Sequence, residues 1–344
     1  METILETEIR SQPTIVEQLL ECSAERIPEI VAALPPFDYV MIAARGSSDH
    51  AALYAKYLWG ALCHFPVALA APSLYTLYQS EIRLPGALVI GVSQSGQSPD
   101  IIAVLEAARR QRRPTIAVTN DSASPLANAA DHVIELHAGV EQSIAATKTY
   151  TAELTVIAAL AAAWSGDAQR REELRSLPLA LEETLARGAG IAAASARYRD
   201  ADAVTVIGRG YNYSTAFEVA LKLKELTYMM ATAYSSADFR HGPIATVSAD
   251  APVTLIVPSG RTLADMIELA TVLRSRNADL LVISDAPEAL ALARSPLPLA
   301  PGTPEWLSPI VATLPGQQLA LHLALAKGIN PDAPRGLTKV TRTH

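Results

Sequence analysis

Residues 88–100 read LVIGVSQSGQSPD. Four apolar residues within five make a buried strand, and Pro99 opens a helical pattern. Between them stand Ser93, Gln94, Ser95, Gly96, Gln97 and Ser98. A plain strand-to-helix turn needs about one glycine and one capping residue. This loop carries more hydroxyls than folding asks for.

The same strand–loop–helix unit recurs along the chain. DYVMIAA, ALVIGVS and PTIAVTN in the first half, then AVTVIGR, PVTLIVP and DLLVISD in the second, alternate with helical patterns. That alternation predicts parallel sheets with helices on both faces. The halves superimpose at an offset of 164 residues, which lays Arg45-Gly46 on Arg209-Gly210, Ser95-Gly96 on Ser259-Gly260, and Asp121 on Asp285. A shared offset without a gap marks a duplicated α/β domain. The expected organisation is a helical lead-in over 1–35, a first domain over 36–165, and a helical linker over 166–199. A second domain over 200–328 and a tail over 329–344 follow. The last helix, GQQLALHLALAKG, is expected to start after Pro315.

Composition narrows the function. Of 344 residues half are hydrophobic and only 5% aromatic, so the core must be built of Ala, Leu, Val and Ile. The net charge is -7 with no basic run, which argues against nucleic-acid binding. METILETEIR lacks the order of a signal peptide, and the Ala-rich stretch from Thr151 to Trp164 is too short to span a membrane. Two cysteines without a CxxC motif indicate neither a disulfide framework nor a zinc site. His50, His64, His132, His137 and His322 have no ligand spacing with carboxylates, so no metal is expected. The expected location is the cytoplasm.

In open parallel sheets, ligands bind beyond the carboxyl ends of the strands. Ser98-Pro99 forms an N-cap and N1 pair, so free backbone N–H groups and the helix dipole favour an anion there. Hydroxyls from Ser93, Ser95 and Ser98 could surround a phosphate without adding charge; a serine-capped turn is the plain alternative. No GxGxxG follows a strand and no GxxxxGK[ST] is present. Arg45-Gly46-Ser47-Ser48 supplies a second loop of the same kind, whereas GRGYNYS and PSGRT in the second copy carry fewer hydroxyls. One copy is expected to keep the phosphate cradle.

SQSGQS, ARGSSDHAALYAKY, SIAATKTYTAE, ALKLKELTY, DFRHGPIA and the tail GLTKVT, in that order, resemble the SIS (sugar isomerase) family. The resemblance runs from about residue 40 to the end and implies two tandem flavodoxin-like SIS domains binding a hexose 6-phosphate. It assigns phosphate contacts to Ser48, Ser93, Gln94, Ser95 and Ser98, beside Gly46 and Ser47. It also lines the sugar pocket with Ala145, Ala146, Thr147 and Lys148.

Moving an amino or carbonyl function between sugar carbons 1 and 2 requires ring opening, proton transfer and a held imine or enolamine. Glu225 and Lys222 stand three apart on the helix expected over Ser214–Met230, which by itself also describes a surface ion pair. The resemblance implies that Glu225 transfers the proton and Lys222 lines the pocket. His241 in FRHGP reads alone as an ordinary loop histidine, and Lys339 as a solvated lysine. The family instead implies that His241 opens the ring from the neighbouring subunit of a homodimer, and that Lys339 handles the open-chain carbonyl.

The family's glucosamine-6-phosphate synthases carry a glutaminase domain with an N-terminal cysteine nucleophile. In this sequence the two copies consume the chain and residue 2 is Glu2, so glutamine hydrolysis is not expected. Where synthases show CGTS the chain has Arg45-Gly46-Ser47-Ser48, and Ala146 replaces a serine. The expected reaction is glucosamine-6-phosphate deamination to fructose 6-phosphate and ammonia, without a cofactor. A fructosamine-6-phosphate deglycase and a synthase-like isomerase are the alternatives. A non-catalytic sugar-phosphate sensor would need the serine loop but not Glu225, His241 and Lys339.

Overall fold

A computed structural model describes residues 2–339. Strands β1 (Tyr39–Ala43), β2 (Val67–Leu69), β3 (Ala87–Val92), β4 (Thr115–Thr119) and β5 (His132–Glu135) form one parallel sheet in the order β2-β1-β3-β4-β5. Strands β6 (Ala203–Gly208), β7 (Met230–Ser235), β8 (Pro252–Ile256), β9 (Asp279–Ser284) and β10 (Ser295–Pro298) form a second, in the order β10-β9-β8-β6-β7. Read from the other edge, the second order equals the first, and both are the flavodoxin-like doubly wound arrangement. The α/β reading with two tandem flavodoxin-like domains is therefore what the chain adopts.

Two compact units result. One gathers the described residues up to Pro13, Gln142–Thr147 and Ser176–Leu337; the other holds Thr14–Glu141, Lys148–Arg175 and the described residues from Thr338. Every residue of β3, β4 and β9 is buried. Strands covered on both faces read as unbroken apolar runs, which is how the sequence displays them. Val89, Val104, Leu105 and Leu126 centre the core beside the first sheet, and Val253, Leu255, Leu269 and Leu273 the core beside the second.

The duplication is written into the backbone as well. Gly46 and Gly210 share φ +57°, and His64 and Tyr228, each just beyond a helix, share φ +61°. Both pairs are 164 residues apart. The offset does slip later. Val89 pairs with Thr115, whereas Val253 pairs with Leu280, so the second copy has one more residue ahead of its fourth strand. Asp285 is thus the counterpart of Asn120 and not of Asp121.

Helices account for the remaining segments. Ile4–Arg10, Gln12–Ser23 and Arg26–Ala33 precede β1, and Ala168–Arg175, Leu177–Ala186 and Ile191–Arg197 precede β6. The Ala-rich stretch belongs to the buried helix Lys148–Ser165, where the Trp59 indole N–H donates to Ile157 O at 3.0 Å. Among the described residues no helix is long and apolar enough to cross a membrane. The last helix runs over Ser308–Ala326 and keeps Pro315 inside it. Proline removes one helical N–H donor and ordinarily ends a helix, so a start beyond it was expected. Ser308-Pro309 is the actual start, and Gly316 lies so close to Val219 that a Cβ would stand 2.3 Å from its Cγ2. That tertiary contact outweighs one missing bond.

Candidate active site

In the first sheet the order reverses between β1 and β3, with β2 on one side and β4 on the other. Ligands of doubly wound sheets lie at such a switch point, beyond the strands' carboxyl ends. The two loops found there are Ala44–Gly46, which leads into helix Ser47–Leu62, and Ser93–Ser98, which leads into helix Pro99–Arg110. These are the two serine-bearing loops.

Backbone bonds fix the second loop. Ser93 N–H donates to Val118 O at 3.0 Å, Asn120 N–H to Gln94 O at 3.1 Å, and Leu126 N–H to Gly96 O at 3.1 Å. Gly96 has φ +61°, and a Cβ there would meet Ser124 Oγ at 2.1 Å, so glycine serves both the turn and the close approach. Ser93 Oγ accepts from Gly96 N–H at 3.2 Å, and Ser95 Oγ accepts from Gln97 N–H at 3.3 Å. A hydroxyl that accepts still has its own proton to give. Ser98 occupies the N-cap as expected, yet its side chain makes no capping bond. Its hydroxyl is therefore not used by the helix.

The first loop departs from expectation in two ways. Ser48 Oγ donates at 2.8 Å to Glu153 Oε1, a carboxylate only 1% exposed, so its proton points at protein. Arg45 Nε donates at 2.8 Å to Asp100 Oδ2, which is fully buried in the first turn after Ser98. The cradle expected to be uncharged thus has a half-exposed guanidinium beside it. Asp100 ties the two loops together, and the sequence reading missed it.

In the second copy the equivalent loop meets carboxylates instead. Ser259 N–H donates to Asp285 Oδ1 at 2.7 Å, and a Cβ on Gly260 would stand 2.3 Å from the Glu305 carboxyl carbon. Negative charge at a helix entrance excludes an anion from the same place. The two copies therefore differ in charge at the same loop.

Lys339 belongs to the unit of the first sheet, where its Nζ lies 2.6 Å from Glu141 Oε2. Lys148 in that unit donates from Nζ to Val140 O at 2.8 Å. The other unit holds the remaining candidates. On helix Tyr213–Thr227, Lys222 Nζ lies 2.6 Å from Glu225 Oε2 and 3.4 Å from Glu218 Oε1. Lys222 and Glu218 are each 1% exposed, while the Glu225 side chain keeps 22% of its surface. Spacing of four and three puts all three on one face. Glu218 was legible by that spacing and was missed.

Ala145, Ala146 and Thr147 form a strap in the same unit. Glu8 accepts N–H bonds from Gln142 at 2.6 Å and Ser143 at 3.2 Å, and Gln317 Nε2 donates to Thr147 O at 3.4 Å. His241 is exposed, one residue past the short helix Ser236–Arg240 and ahead of Gly242, whose φ is +138°. Arg240 anchors that turn through Asp265 Oδ1 at 2.5 Å. Among the described residues no cluster of three or more His, Cys, Asp or Glu could hold a metal.

The family model for the SIS domain matches residues 38–163 and 197–327. The chain belongs to the SIS domain family. It is 33% identical over 341 residues to the glutamine–fructose-6-phosphate aminotransferase (isomerizing) of Thermococcus kodakarensis, covering 96% of this chain and 56% of that protein. The SIS chain thus spans about half the length of the curated relatives it matches. Among solved structures, a candidate phosphosugar isomerase of Silicibacter pomeroyi superposes with a TM-score of 0.86 at 32% identity, covering 96% of this chain and 100% of that one. The C-terminal domain of glucosamine-fructose-6-phosphate aminotransferase from Francisella tularensis gives 0.87 at 27%, covering 97% and 99%.

A phosphate held by the serine loop of this SIS chain would have a kinetic signature. Ser95→Ala should raise KM about 10-fold or more and leave kcat within about 3-fold, because phosphate contacts persist in ground and transition states alike. Steady-state kinetics on a sugar phosphate substrate checks this. A large fall in kcat at constant KM would take Ser95 out of simple binding.

Proposed function

We propose that this SIS chain is an amino sugar phosphate deaminase and isomerase. It would convert glucosamine 6-phosphate and water to fructose 6-phosphate and ammonia. In this reading Ser93, Gln94, Ser95 and Ser98 hold the phosphate with their side chains and Ser48 through its backbone N–H, since its hydroxyl proton goes to Glu153, with Gly46 and Ser47 lining the loop. Ala145, Ala146 and Thr147 line the sugar. His241, lent by the partner of a homodimer, opens the ring. Glu225 carries the proton between carbons 1 and 2 beside Lys222, and Lys339 handles the open-chain carbonyl.

The observation that carries the proposal is the buried lysine clasped by two carboxylates on one helix. Burying these charges costs several kcal/mol per ion before pairing restores it, and a fold can do without them. Glu225 is the cluster's most exposed member, so its carboxylate is the one left open to a ligand, and reach is the first requirement of a general base. A sensor of sugar phosphates would need the cradle without this cluster. Release of the amine as ammonia is favoured by the motif forms Arg45–Ser48 and Ala145–Lys148.

The test is incubation of the pure protein with a panel of amino sugar 6-phosphates and fructosamine 6-phosphate, measuring ammonia and ketose phosphate. Ammonia from glucosamine 6-phosphate supports the proposal. Turnover of fructosamine 6-phosphate alone would replace it with a deglycase, and tight binding without turnover would leave a sensor.

A further inference from the structure

Glu141 belongs to no role assigned so far, and its side chain is fully buried. Its Oε1 accepts the backbone N–H of Thr149 at 3.2 Å, and its Oε2 accepts Thr149 Oγ1 at 2.8 Å. Thr149 lies in the first turn of the 18-residue helix Lys148–Ser165, so the helix N-terminus complements the carboxylate's charge. The same Oε2 lies 2.6 Å from Lys339 Nζ, across 198 residues of sequence. An exposed lysine loses little by staying in water. Lys339 is instead drawn in to 24% side-chain exposure against a buried carboxylate.

We propose that Glu141 is the positioning residue and counter-ion of Lys339. It docks the segment that carries the lysine and stays paired with the nitrogen while that nitrogen reacts with a sugar carbonyl. This rests on the reading that Lys339 meets the open-chain sugar. In that step the ammonium gives up protons, and the nitrogen lone pair forms a bond to the carbonyl carbon. The π pair moves to oxygen, which takes two of the lysine's protons and leaves as water. The net change is ammonium plus carbonyl to iminium plus water, with no proton gained or lost. The nitrogen carries one positive charge before and after. A single fixed carboxylate therefore matches both states with no reorganisation.

Glu141→Gln separates this role from folding. The amide oxygen can still accept Thr149 N–H, and the amide nitrogen can face Thr149 Oγ1, so the helix start keeps its partners. The amide's donors then point at the Lys339 ammonium, which loses its acceptor.

Two measurements on the full chain decide the matter. The first is acetylation of Lys339 without sugar, followed by mass spectrometry. Glu141→Gln should react about 10-fold faster than wild type, the scale of one lost charge-assisted hydrogen bond. The second is borohydride reduction in the presence of fructose 6-phosphate, which traps an iminium as a stable adduct on Lys339. The adduct should form about 10-fold more slowly in Glu141→Gln and be partly restored in Glu141→Asp, with inorganic phosphate affinity unchanged. Equal acetylation in wild type and Glu141→Gln would overturn the docking. Equal trapping would overturn the counter-ion role. Wild type that releases ammonia yet forms no adduct would sink this inference and spare the proposed function, whereas an adduct without ammonia release would do the reverse.

Discussion

Glu225→Gln should lower ammonia release by about 100- to 10,000-fold while inorganic phosphate binds as before. The substitution is nearly isosteric, and Lys222 keeps Glu218 at 3.4 Å, so its buried ammonium is not left alone. The amide oxygen can also accept from Lys222 where Glu225 Oε2 now stands at 2.6 Å. What disappears is a basic oxygen able to take a proton from a sugar carbon. Loss of that capacity alone corresponds to about 2.7–5.5 kcal/mol in the barrier. Because the serine-bearing loop and Glu225 belong to different units, unchanged phosphate affinity checks the unit of the first sheet, and thermal unfolding followed by circular dichroism checks the unit that holds Glu225. Near-normal turnover in this variant would remove Glu225 from the mechanism.

What could be read from the sequence follows burial. The central strands β1, β3, β4, β6, β8 and β9 stand out because neighbours on both sides leave them almost wholly apolar. The edge strands β2, β5, β7 and β10 do not. All three residues of β2 are half-buried, and β10 reads SPLP, a composition that argues against strand. The single-residue slip ahead of β9 was also hidden, since Asp121 and Asp285 look alike at a constant offset while hydrogen bonding pairs differently.

The site divides along a different line. The serine loop and the Glu225–Lys222 spacing are local, so they could be found in a window of a few residues. Glu153, Asp100 and Glu141 are isolated carboxylates in sequence. Their partners lie 105, 55 and 198 residues away. No periodicity announces a charge that is buried because a distant chain segment meets it. Those three acids tie the serine-bearing loops to the scaffold and hold Lys339. Sequence reading therefore finds groups that would touch a ligand more readily than groups that hold them in place.

Subunit mixing should restore activity to two variants that are each inactive alone. His241 is exposed on a turn ending at Gly242, and that turn is pinned through Arg240 and Asp265. A pinned loop with an exposed imidazole is suited to reach into a neighbour. If each chain of a two-fold dimer lends His241 to the other, the interface is isologous and each site needs both chains. His241→Ala and Glu225→Gln homodimers would then lack one group in every site. In a mixed dimer, the intact Glu225 of one chain meets the intact His241 of the other, and the second site lacks both. Complete random exchange makes about half of the dimers mixed, each with one working site of two, so activity should rise to about one quarter of wild type. Recovery should grow with the extent of exchange, followed by native mass spectrometry, and neither variant alone should gain from the same treatment. Demonstrated exchange without recovery would mean that His241 acts within its own chain or takes no part in ring opening.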